Sequence, residues 1–209
     1  SDVCSSDLEQ VIALNRTLEK PGSKAEFALE LVKQNIGIAK SKSLPICQDT
    51  GTINFFIETP KEVDQILMTE LACEAVIEAT ERGYLRQNSV DSLTGKNTGN
   101  NLGAGSPVFH WEQTSEPHID IRLILKGGGC ENMSAQYSLP TEIQGKRVDR
   151  TLDGVRACIL DAVWKAQGKG CGPGFLGVCI GGDRASGYEF AKRQLLRTID
   201  DINPDSKLA

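Results

Sequence analysis

The sequence predicts an α+β fold, an antiparallel sheet flanked by helices, and three observations carry that prediction. Some segments place apolar residues at helical spacing, and others place them at alternate positions. The two kinds do not follow one another in regular alternation, as the parallel sheet of a βαβ fold requires. Between them run loops rich in Asn, Ser and Thr that hold most of the 21 glycines. The 209 residues suit one domain or slightly more. A chain of this length buries roughly 70% of the surface its unfolded form exposes, so it needs no disulfide staples.

Residues 1–8 are polar and read as a disordered or foreign leader, which leaves 9–209 as the domain. A first helix is predicted over 24–39 from Phe27, Ala28, Leu31 and Val32. After a loop at 44–51, Ile53, Phe55 and Ile57 alternate with Asn54 and Phe56 in a strand over 52–58. Val63, Leu67, Leu71, Ala75 and Ala79 mark a helix over 60–82. Following the loop 85–106, strands at 107–111 and 119–125 read as a hairpin that turns near Ser115, Glu116 and Pro117. The cleanest helix is 148–166, where Val148, Leu152, Val155, Ile159, Val163 and Ala166 form one stripe expected to face the core. A strand over 175–180 and a helix over 184–197, with Tyr188, Ala191 and Leu195, complete the chain.

Lys and Arg number 23 against 28 Asp and Glu, a net charge of −5. Mild acidity argues against nucleic-acid or anionic-membrane partners, which need a basic face. No unbroken apolar stretch exceeds five residues, whereas a bilayer-spanning helix takes ~20. No charged segment followed by an apolar core opens the chain, so no export signal is visible. Seven cysteines without such a signal point to reduced thiols in the cytoplasm, some available as metal ligands.

The loops hold the chemistry. In loop 44–51, Cys47, Gln48 and Asp49 are consecutive. A thiolate there is a soft ligand for an iron–sulfur cluster, zinc or copper(I), next to a carboxylate suited to acid–base work. The other reading is a turn in which Asp49 bonds its own backbone and Cys47 packs as a small hydrophobe. Asp49-Thr50-Gly51 is also the aspartic-protease triplet, but that chemistry takes two carboxylates, and one copy beside strong helices does not suit it.

Arg86 offers a planar fork for a carboxylate, or is an ordinary solvated arginine. Lys96 precedes no strand–helix phosphate motif. The run Gly127-Gly128-Gly129 lets backbone amides approach a ligand, or is a flexible turn. From loop 167–174 into the following segment, Gly172, Gly174 and Gly177 stand at dinucleotide-fingerprint spacing, but the run follows a helix and opens a strand, the reverse of that motif's setting. Cys171, in this Gly/Pro loop, is placed to present a thiolate. Cys73, Cys158 and Cys179 lie in predicted helices and a strand and read as structural. With no Cys-x-x-Cys and two histidines, His110 and His118, at strand positions, zinc is not expected.

Four stretches in order resemble the iron–sulfur class I fumarate hydratases and the related L-tartrate dehydratase alpha subunits. They are Pro45-Ile-Cys-Gln-Asp-Thr-Gly51, Leu85-Arg-Gln-Asn-Ser89 with Lys96-Asn-Thr-Gly99, Lys126-Gly-Gly-Gly129, and Cys171-Gly-Pro ahead of Ile180-Gly-Gly182. The resemblance runs over nearly the whole chain. It implies an alpha domain of that type and a 4Fe-4S cluster held by three cysteines, with the open iron a Lewis acid for the reversible hydration of fumarate to L-malate. It further implies Cys47 and Cys171 as two cluster ligands, and Gln48 and Asp49 as active-site residues, with Asp49 in the acid–base network. Arg86 is implied as a clamp on a dicarboxylate substrate, and Gly129 or Gly128 as a backbone contact.

Two departures stand out. The family's third cysteine lies further along near a histidine, and nothing after Cys179 matches it. The family's C-terminal beta region, a partner segment or subunit, is also missing, so the chain reads as an alpha region truncated before its site is complete. Cys130 is the alternative third ligand. An L-tartrate dehydratase alpha subunit and a non-catalytic iron–sulfur-binding subunit are the rival readings, and the resemblance implies a homodimer.

Overall fold

The segment 53–57 carries Ile53, Phe55, Phe56 and Ile57, apolar toward both faces, which suits a strand with neighbours on either side. In a computed structural model of the chain, which describes residues 3–47, 49–172 and 174–206 with side chains from residue 7, that strand is the centre of a three-stranded sheet. Contacts divide the chain into two units, one of Asn15–Gly128 and one of the residues up to Leu14 with those from Gly129 onward. A first helix, α1 (Val3–Leu18), takes in residues 3–8, which the composition reads as leader.

In the unit Asn15–Gly128, α2 (Lys24–Lys42) starts at Ser23, whose Oγ accepts from the Glu26 amide, while Glu26 reaches back to the Gly22 amide. The strand β1 (Thr52–Thr59) follows, then α3 (Gln65–Glu81), capped by Asp64, and the strands β2 (Val108–Gln113) and β3 (Asp120–Lys126). The order is β2-β1-β3. β1 and β2 run parallel with Phe55 opposite Phe109, while β1 and β3 run antiparallel with Thr52 opposite Lys126.

The α+β class therefore holds, but the sheet is mixed rather than antiparallel. The segment 107–126 is no hairpin, because β1, apolar on both faces, takes the place between β2 and β3. Phe55 stacks on Phe109 and Phe56 on His110 across the parallel pair. His118 lies in a bend before β3, not in a strand.

The helices expected at 24–39 and 60–82 fall where their periodicity places them, but they turn different faces inward. On α2 the buried residues are Ile36 and Ala39, with Phe27 and Leu31 exposed; on α3 they are Val76 and Thr80, with Leu67 and Leu71 half-exposed. Ile53 and Ile57 of β1 are almost completely buried.

A one-turn helix α4 (Gly128–Glu131) begins at the boundary, and in the other unit a hairpin of β4 (Thr141–Ile143) and β5 (Lys146–Val148) follows. Gln144 and Gly145 both have positive φ there, the geometry of a tight two-residue turn. The helix α5 (Leu152–Ala166) starts from a Thr151 cap. It buries Gly154, Cys158 and Asp161, while Leu152 and Val163 of the expected stripe are exposed. Close approach explains this choice, because a Cβ at Gly154 would run into the Asp149 carbonyl.

The segment 174–180 is irregular rather than a strand. Its glycines weaken strand structure, and its backbone rests at Gly177 against the Ala191 carbonyl of α6 (Arg184–Gln194). Among the described residues, no helix is long and apolar enough to cross a membrane.

Asp161 gathers two partners in this unit. Its Oδ2 accepts from the Tyr137 hydroxyl at 2.6 Å and pairs with the Lys165 ammonium at 2.6 Å. The Lys165 bond and then the Tyr137 bond hold its carboxyl below the ordinary range. Burial, and then the same carboxylate, push the Tyr137 phenol up to about 12. A phenol that ionises near pH ~10 when unfolded and at about 12 when folded stabilises the fold below pH ~10. That contribution is lost as pH rises toward 12. Replacement of Tyr137 by Phe is accordingly expected to remove the last tyrosinate absorbance step and to flatten the alkaline fall in melting temperature. Persistence of both in the variant would assign them elsewhere.

Candidate functional site

The loop after α2 turns into β1 at Gly51, where φ is +56°. A Cβ there would overlap the Lys126 carbonyl and stand 2.5 Å from the Gly127 Cα, so only glycine lets the start of β1 lie against the end of β3. This contact carries Asp49 to Gly127. A Cβ on Gly127 would overlap the Asp49 Oδ2 and come within 2.9 Å of its Cγ, so the carboxylate sits on bare backbone.

The opposite side is built by residues 86–101. Thr50 is buried, and its Oγ1 accepts from the Arg86 amide at 2.8 Å, tying loop 85–106 to the head of β1. Two residues on, the Asn88 Nδ2 donates to the Asp49 Oδ1 at 2.6 Å. Arg86 itself is exposed, and among the described residues its guanidinium meets no carboxylate.

Behind this loop stands Asn101, 1% exposed and with a φ of +62°. Its Oδ1 accepts from the Asn88 amide at 2.9 Å and the Ser89 amide at 3.2 Å, and its Nδ2 donates to the Arg86 carbonyl and to the Thr80 Oγ1. One buried amide thus fixes the whole turn that carries Arg86 and Asn88. Asn88 falls inside the Leu85–Ser89 motif without a role assigned to it there, and Asn101 lies outside every motif; the available signal for Asn101 is that Asn tolerates positive φ better than most residues do.

The remaining sequence-predicted positions are placed as follows. Cys47 is exposed, and its Sγ accepts from the Asp49 amide at 3.4 Å. Gln48 lies outside the described residues. Gly128 and Gly129 open α4, and a Cβ on either meets nothing within 4 Å. In the other unit, Cys171 and Cys130 are exposed and in no disulfide, and Gly170 rests against the Met133 side chain. Gln136 and Ser138 there bond to Arg184 at the start of α6.

Cys73 and Cys158, by contrast, have thiols pushed up by burial, which suits packing and not ligation. Among the described residues no group of three or more His, Cys, Asp or Glu side chains is gathered as for a metal ion. The accessible thiols of Cys47 and Cys171 are nevertheless soft donors of the kind an iron–sulfur cluster takes.

Comparison with known proteins supplies the frame for this geometry. A family model described as fumarate hydratase (Fumerase) matches residues 3–209. The chain is 50% identical over 203 residues to a provisionally named class I fumarate hydratase of Geobacillus stearothermophilus, covering 97% of this chain and 40% of that protein. It is 31% identical over 203 residues to a provisionally named L(+)-tartrate dehydratase subunit alpha of Methanocaldococcus jannaschii, covering 94% of this chain and 69% of the relative. The L(+)-tartrate dehydratase subunit alpha of Escherichia coli K12 is 29% identical over 169 residues, 79% of this chain and 53% of that subunit. The chain thus spans from two-fifths to about two-thirds of the lengths of these relatives. With a match over nearly its whole length, the chain belongs to the fumarate hydratase (Fumerase) family.

Proposed function

We propose that this chain is the alpha region of a hydro-lyase that reversibly hydrates fumarate to L-malate. The observation that carries this reading is the Asp49 carboxylate, held between Asn88 and Gly127, with the Arg86 backbone tied to the next residue, Thr50, in a chain of this family. Cys47 and Cys171 would hold a 4Fe-4S cluster, with the third ligand supplied elsewhere or by Cys130. Such a cluster, when bound, supplies a Lewis-acidic iron for the substrate's hydroxyl and carboxylate oxygens. Asp49, with Gln48 next to it, takes part in proton transfer. The exposed guanidinium of Arg86 binds a substrate carboxylate as a planar fork, and the backbone at Gly128 and Gly129 accepts the close approach of the other end. A C-terminal beta region or beta subunit completes the site, the assembly is a homodimer, and the enzyme is cytoplasmic, where its thiols stay reduced.

A second reading, L-tartrate dehydratase, is favoured by the two alpha-subunit relatives. Turnover of L-malate against L-tartrate by the anaerobically reconstituted full-length enzyme separates the two. A fully loaded enzyme that leaves fumarate unhydrated overturns the first. In the same assay Arg86→Leu is expected to raise KM by about 10- to 100-fold, the loss of one charged hydrogen-bonding partner. An unchanged KM would return Arg86 to an ordinary surface role.

A further inference from the structure

We infer that Asn88 is the positioning residue for the Asp49 carboxylate, and that Asn101 holds Asn88 in that role. The inference rests on the proposed part of Asp49 in proton transfer and goes beyond it, to how that side chain is aimed.

Three features carry it. The bond from Asn88 Nδ2 to Asp49 Oδ1, at 2.6 Å, links residues 39 apart, so it fastens one loop to another and is no local turn. Its direction is fixed by chemistry, because the amide NH2 donates and the Asp49 oxygen accepts, whereas the other face of the amide would bring oxygen against oxygen. The Asn88 Oδ1 is buried and has no hydrogen-bond partner among the described residues. An orphaned acceptor is costly to bury. The amide nevertheless keeps its NH2 on Asp49, with its own backbone amide held at 2.9 Å by Asn101.

The consequence is a carboxylate with unlike oxygens. Oδ1 is engaged by Asn88, whereas Oδ2 lies over Gly127 and has no hydrogen-bond partner among the described residues. Rotation about the last side-chain bond would exchange them. A half-turn restores the same arrangement, because the two oxygens are equivalent: one is always on Asn88, and the other, over Gly127, is left to meet substrate. A misplacement of about 1 Å at such a group costs on the order of 10²-fold in rate.

The experiment is a double-mutant cycle in the full-length enzyme, reconstituted anaerobically, with Asp49→Asn and Asn88→Leu. Iron and sulfide content and the melting curve are recorded for each variant. Expected is an Asn88→Leu enzyme with normal cluster content, KM within about twofold of the parent and kcat lowered about 10- to 100-fold. In the Asp49→Asn background the same change should cost nothing further, because a residue that acts through Asp49 has nothing left to aim. Equal losses in both backgrounds, or a loss confined to KM, overturn the inference while the reading of Asp49 stands. An Asp49→Asn enzyme of full activity removes that reading and the inference with it, and the intact single mutant tells this case from the first. Should Asn88→Leu melt early, Asn88→Ala, which removes the amide without adding bulk, takes its place in the same cycle with the same outcomes.

Discussion

Replacing Asp49 with Asn in the full-length enzyme is expected to lower kcat by about 10²- to 10⁴-fold, the usual contribution of a positioned acid or base. Iron and sulfide content should stay at the level of the parent. The substitution is nearly isosteric, so Asn88 keeps an oxygen to bond, and Gly127 still lies beneath the side chain. What disappears is the ability to take and return a proton. A protein that merely bound a cluster would lose nothing measurable, so the ratio of turnover to cluster content decides between enzyme and carrier. A loss of iron in parallel with rate would instead make Asp49 part of the cluster's support.

Gly51→Ala is expected to destabilise the protein by about 4 kcal/mol or more, in the range that marks a specific structural failure. Two costs combine. An alanine at a φ of +56° gives up about 1–2 kcal/mol. The new methyl also overlaps the Lys126 carbonyl, where β1 and β3 begin their ladder. Relief means opening the sheet at the end that bears Asp49. Gly83 supplies the reference: its φ of +76° is similarly left-handed, yet a Cβ there meets nothing within 4 Å. Gly83→Ala should therefore cost only the conformational part, about 1–2 kcal/mol. Melting temperatures of the two variants measure the difference, and equal losses would mean that the contact with β3 relaxes freely.

Most helices and strands were legible because their patterns are local. The alternation at 119–125 marks β3 nearly to the residue. Strand order was not local information. The clue lay in Phe56, an apolar residue on the face where alternation calls for a polar one, which marks a strand covered on both sides. Helix orientation failed for a related reason. On α5 the closest contact belongs to Gly154, and no hydrophobic stripe reports a place where the absence of a side chain decides the packing.

The candidate site divides in the same way. Cys47, Asp49, Arg86 and Cys171 are visible as reactive residue types in loops. The pair that organises Asp49, Asn88 with Asn101, is made of ordinary amides whose roles arise from bonds across 39 and 13 residues. Nothing in composition or periodicity distinguishes them from the other asparagines of that loop.

The antiparallel register of β1 and β3 sets Thr52 opposite Lys126, so the residues flanking that pair, Asp49 to Gly51 and Gly127, meet at one end of the sheet. A slip of one residue would reverse the faces of the whole strand and take Gly127 from under the carboxylate. The glycine side of the Asp49 setting is thus part of the sheet itself. Its geometry is preorganised when the strands pair, and the entropy of fixing that side chain is spent in folding instead of in each catalytic cycle.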